Sequence, residues 1–228
     1  MSGVSAGAGG VAVSVTYAIG IDPGASNGAA VVLDVTTGRA VACVAWTTPS
    51  TATKANPTRV PTVWEWDGWG VASYQHPAAR VPWLPLRRLV ALAPDVIGGT
   101  WVGAVEAVAH YGVASGASRT GTMPPARLIA AAEAAGQAAH VLHGLCHEVP
   151  LRPASGDWRR VVGITTRSAR DAARQARAMV GDATAGVRMP VRVAGLPPEL
   201  ARIDHVADAA LIAEWASITS RAAARRTG

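Results

Sequence analysis

Three acidic residues lie in apolar settings where a lone carboxylate is costly. Asp22 closes the run Val15-Thr-Tyr-Ala-Ile-Gly-Ile-Asp just before Pro23-Gly24. Glu106 sits inside Trp101-Val-Gly-Ala-Val-Glu-Ala-Val, and Asp208 inside His205-Val-Ala-Asp-Ala-Ala-Leu-Ile-Ala. Burying an isolated carboxylate is unfavourable unless it is paired, hydrogen-bonded or metal-bound. Hard oxygen donors of this kind favour Mg²⁺ or Mn²⁺. A pair of such ions about 4 Å apart could activate a water and steady the leaving oxygen of a phosphodiester. Each acid taken alone could equally serve as a cap, a salt-bridge partner or a surface group. Asp22 is the most shaped of the three, because Gly24 and Gly28 let the backbone turn tightly beside it. His205 and Asp208 are spaced i and i+3, and Asp204 and Asp208 i and i+4, so on a helix they share one face. His205 in that place can ligate metal, handle a proton, or simply be a polar residue at a helix start.

The elements that must position these groups can be read from periodicity and turn residues. Val15 to Asp22, Ala29 to Asp34 and Ala40 to Trp46 read as three antiparallel strands, with Thr37-Gly38 as a hairpin turn. Trp101 to Ala107 reads as a buried strand, and Val149 to Leu151 as a short one. Val191 to Val193 could add another. Helices are expected at Leu84–Leu92, from Pro124-Pro125 to about Gly144, at Ser155–Val162 with Ser155 as cap, at Ser168–Val180, and from Pro198 or Arg202 to Ala216. Residues 47–83, with five prolines and Trp64, Trp66, Trp69 and Trp83, read as a long irregular insertion. Trp46, Trp101 and Trp215 are expected in the core, and Trp66 and Trp69 on the surface, where they could stack on bases.

A chain of 228 residues, half of them hydrophobic and 16% charged, is long enough for one well-packed domain and excludes a disordered polyelectrolyte. Its Ala- and Val-rich apolar content suits helices packed closely on a sheet. The net charge of +6 points to a polyanionic partner. Lys54 is the only lysine, a bias that a GC-rich genome accounts for; it does not account for the net charge. Cys43 and Cys146 form no CxxC pair and read as buried thiols in a reducing compartment. The Gly/Ser/Ala-rich residues 1–14 read as a flexible leader and not a signal peptide. No apolar run approaches a membrane span, so a soluble, cytoplasmic protein is expected.

The motifs together resemble those of the RuvC-like Holliday-junction resolvases. Ala18-Ile-Gly-Ile-Asp-Pro-Gly-Ala-Ser-Asn-Gly-Ala-Ala-Val-Val is similar to their first motif, and Ala104-Val-Glu-Ala-Val to the second, where a strand presents a catalytic Glu. Ala126 to Leu151 is similar to their long helix and following strand. Trp158-Arg-Arg-Val-Val-Gly resembles a short element of phage-type members, and His205-Val-Ala-Asp-Ala-Ala-Leu-Ile-Ala the closing motif. The resemblance covers roughly residues 15–217. It implies an α/β, RNase H-like fold with a central mixed sheet of about five strands flanked by helices; residues 218–228, with Arg221, Arg225 and Arg226, read separately as a basic tail. It further implies a crossover-junction type endodeoxyribonuclease of DNA recombination and repair. Asp22, Glu106, His205 and Asp208 would be its catalytic and metal-binding residues, with two Mg²⁺ that Mn²⁺ can replace. A homodimer acting on branched DNA and products with 5′-phosphate and 3′-hydroxyl ends are implied too. The segment 47–83 has no counterpart in that family, and residues 113–123 lack an aromatic wedge, so four-way-junction preference is less secure than nuclease chemistry.

The expected DNA contacts are basic. Arg167, Arg170, Arg174 and Arg177 recur at helical spacing as one stripe, and from Arg152 to Arg202 ten arginines face four acids. Such a stripe would hold phosphates without reading sequence, or form a solvated face. Arg119, with Ser115, Ser118 and Thr120, is a weaker candidate on a loop near Glu106. Two other classes compete. An actin-like or sugar-kinase-type ATP-binding protein also opens with a Gly-x-Asp strand and turn. It needs a second glycine-rich phosphate loop, which Gly98-Gly99 does not reproduce. A non-catalytic DNA-binding protein on the same fold would bind without metal-dependent cutting.

Overall fold

The computed structural model describes residues 15–24, 26–49, 51, 56, 58–77, 83–93, 99–107, 125–146 and 149–227. Arg119 and its neighbours Ser115, Ser118 and Thr120 lie outside them. Six strands form one mixed sheet in the order β5-β4-β3-β2-β1-β6. They are β1 (Tyr17–Asp22), β2 (Asn27–Asp34), β3 (Arg39–Thr47), β4 (Thr62–Trp66), β5 (Val71–Gln75) and β6 (Trp101–Val105). β1 to β5 form an antiparallel meander, while β6 joins β1 in parallel, with Tyr17 opposite Trp101 and Ile21 opposite Val105. This parallel step brings the C-terminal ends of β1 and β6 side by side.

The helices are α1 (Trp83–Leu92), α2 (Pro125–Cys146), α3 (Ser155–Val162), α4 (Ala169–Met179), α5 (Pro198–Ala201) and α6 (Asp204–Thr227). They divide between the two sheet faces because strand residues alternate sides. Ile19, Ile21, Val32, Val44, Trp46 and Val63 pack on one face with Leu86 and Leu89 of α1 and Ala135, Ala138 and Leu142 of α2. On the other face Ala18, Ala29, Val31 and Cys43 pack with Trp158 and Val162 of α3, Ala172 and Ala176 of α4, and the alanine-rich stripe of α6. Both faces of the central strands are covered, so β2 and β3 read as near-continuous apolar runs. Cys43 is a free thiol at zero exposure, and burial pushes its pKa well up.

Most of the expected elements are present, with corrections. The segment 47–83 is not wholly irregular. Its β4–β5 hairpin extends the sheet, giving six strands where about five were expected. Trp66 is buried at 6% exposure, not on the surface, because its strand pairs with β3; Trp69, at the hairpin tip, is 95% exposed. Residues 149–151 supply only a parallel bridge from Leu151 to Ala104, and Ala194 a bridge to Arg39 in place of a strand at 191–193. Ser155 is not the cap of α3: Ala154 holds that position and makes no side-chain cap. The expected tail after Ala216 continues α6 without a break to Thr227. No helix among the described residues is long and apolar enough to cross a membrane.

Candidate functional site

The turn after Asp22 is fixed by its neighbours. A Cβ at Gly24 would lie 1.8 Å from the Asn27 carbonyl oxygen, and one at Gly28 would lie 2.4 Å from the Trp46 ring. Only glycine lets the backbone close this tightly. Trp46 Nε1 donates to the Gly24 carbonyl at 2.9 Å. The Thr48 amide donates to Asn27 Oδ1 at 2.6 Å, and the Thr48 hydroxyl to the Ser26 carbonyl at 2.6 Å. These bonds tie the turn to the end of β3 and hold Asp22 at the sheet's rim. The Glu106 amide donates to the Ile21 carbonyl at 3.0 Å, so the second acid follows β6 directly beside the first.

Helix α6 brings the remaining two groups. It crosses β1 at Gly20, where an added Cβ would lie 2.1 Å from the Ala209 carbonyl oxygen and 2.3 Å from the Ala213 nitrogen. Glycine on the strand and alanines on the helix let two backbones meet, which seats the first turns of α6 over the strand ends. His205 Nδ1 then lies 2.5 Å from Asp22 Oδ2, across 183 residues of chain. Asp208 Oδ2 accepts from Arg159 Nη2 at 3.2 Å. Asp204 points elsewhere, with its carboxylate 3.5 Å from Arg177 Nε and 56% of the side chain exposed.

Three groups in this site were not assigned a functional role from the sequence. Trp158, fully buried on α3, donates from Nε1 to Glu106 Oε1 at 3.1 Å. Ser155, one turn earlier, gives Glu106 a second hydrogen bond. Arg159, the next residue, pairs with Asp208 and stacks 5.0 Å from the Trp158 ring centroid. A tryptophan followed by arginines on a short polar helix was the only sequence signal. Which carboxylates they meet depends on tertiary packing.

The four groups share one electrostatic field. Burial raises the pKa of Glu106, and the charge of Asp22 raises it further, against the bonds from Ser155 and Trp158. Burial, then the charges of Asp22 and Glu106, push Asp208 up to about 7 in spite of Arg159 and His205. Burial pulls His205 down, but its bond to Asp22 and the three nearby aspartates raise it overall. Clustered titratable groups perturbed in this way are characteristic of functional sites. A surplus of negative charge on hard oxygen donors is what a divalent cation relieves, so the donor chemistry fits Mg²⁺ or Mn²⁺. As the side chains stand, no group of three or more His, Cys, Asp or Glu among the described residues is spaced to hold a metal ion. Two protein side chains instead sit on the acids, the His205 imidazole on Asp22 and the Arg159 guanidinium on Asp208.

The expected arginine stripe is only partly on α4 and only partly available: Arg167 precedes the helix cap Ser168, so it does not belong to the helical face. Arg174 pairs with Asp171 at 3.6 Å and donates to the carbonyls of Ala185 and Gly186, each at 3.2 Å. Arg177 lies 3.6 Å from Asp182 and 3.5 Å from Asp204. Arg167 and Arg170 are exposed. No protein-family model matches the chain, and no curated protein matches it.

Proposed function

We propose that this protein is a metal-dependent, structure-selective DNA endonuclease on an RNase H-like fold, acting on branched DNA such as Holliday junctions. One observation carries the reading: Asp22, Glu106 and Asp208, from three separate elements, converge closely enough that the charge of Asp22 raises the pKa of both Glu106 and Asp208. The antiparallel strands β3-β2-β1 continued in parallel by β6, with α6 closing over the acids, are compatible with that fold. The positive net charge suits a nucleic-acid substrate.

Asp22, Glu106 and Asp208 would hold two Mg²⁺, or Mn²⁺ in their place, and His205 would join them or manage a proton beside them. When bound, such ions supply an activated water and stabilise the leaving oxygen of the phosphodiester. Trp158 and Ser155 orient Glu106, so its carboxylate keeps one direction at the rim. His205 fixes Asp22 through its ring nitrogen. Arg167 and Arg170, both exposed, would meet backbone phosphates without reading base sequence. Arg174 and Arg177 would do so only by leaving the partners they have within the chain. The resemblance also carries a homodimer, which would set two sites on a two-fold symmetric junction.

A cleavage panel tests the proposal. Four-way junctions, flaps and linear duplex are incubated with Mg²⁺, Mn²⁺ or chelator, using the wild type and Asp22→Asn. Branched DNA is expected to be cut in either metal and spared in chelator, leaving 5′-phosphate ends. Asp22→Asn is expected to bind junctions and cut none. Full cleavage by that variant removes Asp22 from the chemistry. Binding by the wild type with no cutting in any metal leaves a DNA-binding protein on this fold.

A further inference from the structure

The Arg159–Asp208 contact is weaker than its setting allows. The guanidinium reaches the carboxylate through Nη2 alone, at 3.2 Å, although an arginine fork can give a carboxylate two parallel bonds. Its Nε is buried with no hydrogen-bond partner, a state that costs free energy. The side chain keeps 29% of its surface in solvent. Trp158 supports it by stacking and does not hold it by a directed bond. The carboxylate it occupies is one of the three that would receive the metal.

We propose that Arg159 is a resident counter-cation that keeps divalent metal off Asp208 until a DNA phosphate draws its guanidinium away, so that DNA and metal load the site together. The inference rests on the nuclease reading above. Before DNA arrives, Arg159 offsets part of the acid cluster's charge. A phosphate entering the site meets repulsion from three carboxylates. It also offers the planar guanidinium a better acceptor, because arginine suits the geometry of phosphate. Moving onto the phosphate screens that repulsion and frees the Asp208 oxygen. The coupling is reciprocal: whatever DNA does for metal affinity, metal does for DNA affinity. The device would limit metal-loaded enzyme in the absence of substrate.

The test measures Mn²⁺ binding to the full chain by electron paramagnetic resonance, alone and with a four-way DNA junction. Mn²⁺ bound by the junction itself is subtracted, samples are kept on ice, and strands are checked for cutting on a denaturing gel. The junction is expected to tighten Mn²⁺ binding to the wild type by about tenfold. Arg159→Gln is expected to bind Mn²⁺ that tightly without DNA and to gain nothing from it. Arg159→Lys, which keeps a cation, should retain weak DNA-free binding. An Arg159→Gln chain that is folded by circular dichroism yet binds Mn²⁺ no tighter than wild type refutes the proposal. If that variant does not fold, an unchanged wild-type affinity on adding junction refutes it instead. Equal Mn²⁺ binding by all variants with DNA cutting intact sinks this role and leaves the nuclease reading standing. Absence of Mn²⁺ binding in every sample removes both.

Discussion

Two arginine–carboxylate pairs lie against opposite faces of the same sheet and are built differently. On one face Glu65 of β4 is 5% exposed, and both its oxygens are used. Arg88 of α1 donates to Oε1 at 2.9 Å and to Oε2 at 3.1 Å, and the Tyr74 hydroxyl donates to Oε1 at 2.5 Å. Burial would raise its pKa, but these bonds hold Glu65 below the usual carboxylate range. On the other face Asp208 has one bond from Arg159 and two acids beside it, and it is pushed up to about 7. A structural ion pair satisfies its carboxylate; the candidate site leaves one under repulsion. The difference separates a group whose charge is fully met within the fold from one whose charge is not.

Glu65→Ala should separate the two regions most sharply. It strands the Tyr74 hydroxyl and the Arg88 guanidinium, at a cost of about 2–3 kcal/mol, less than for a fully buried pair because Arg88 keeps half its surface in water. Urea denaturation should show that loss, while cleavage per folded molecule stays unchanged. A loss of cleavage in the folded fraction would erase the distinction. Gly20→Ala should come next, at about 2–3 kcal/mol, because its Cβ meets helix backbone that cannot give way. Unlike Glu65→Ala, it should also reduce cleavage in the molecules that remain folded, since it tilts α6 and with it His205 and Asp208.

The third effect concerns pH and has opposite signs on the two faces. With its pKa raised to about 7, folded Asp208 binds a proton that the unfolded chain has released. Its contribution to stability therefore falls as pH rises from about 4 to about 7. Asp208→Asn stays neutral and should stabilise the metal-free protein at alkaline pH by about 1–2 kcal/mol. Thermal melts across that range should show a flatter profile; a variant less stable than wild type at alkaline pH contradicts the assignment. Glu65, whose pKa is lowered, does the reverse: its contribution is present above the usual carboxylate range and is lost as pH falls through its lowered value. The smallest effect is expected for Trp69→Ser at the hairpin tip. With 95% of the residue already exposed, stability should stay within about 0.5 kcal/mol in the same melts.

What the sequence makes legible follows from how local each signal is. The strands ending at Asp22 and before Glu106, the helix beginning near His205, and the glycine turn all rest on neighbouring residues, and the structure has them. The meeting of Asp22 with His205 was open to inference only through the order of the motifs. Local signals failed where tertiary context decides. Prolines flank β4 and β5, so the hairpin reads as loop until its pairing with β3 is known. Trp66 reads as surface because it falls in the proline-rich segment read as irregular, yet strand alternation sends it into the core. Ser155 reads as a cap because caps are usually serine, but its hydroxyl turns to Glu106. Arg177 reads as free because Asp182 and Asp204 lie too far along the chain to be seen as partners, and Arg174 because its bonds to the Ala185 and Gly186 carbonyls leave no mark in the sequence.

The span between Asp22 and His205 bears on when the protein becomes competent. Chains emerge from the ribosome N-terminal end first, and contacts between distant segments form late. The sheet with Asp22 and Glu106 is synthesised long before α6, which seats on Gly20 and delivers His205 and Asp208. A nascent or C-terminally shortened chain therefore lacks half of its acid–histidine set, and the candidate site stays incomplete until synthesis has passed the docking segment of α6.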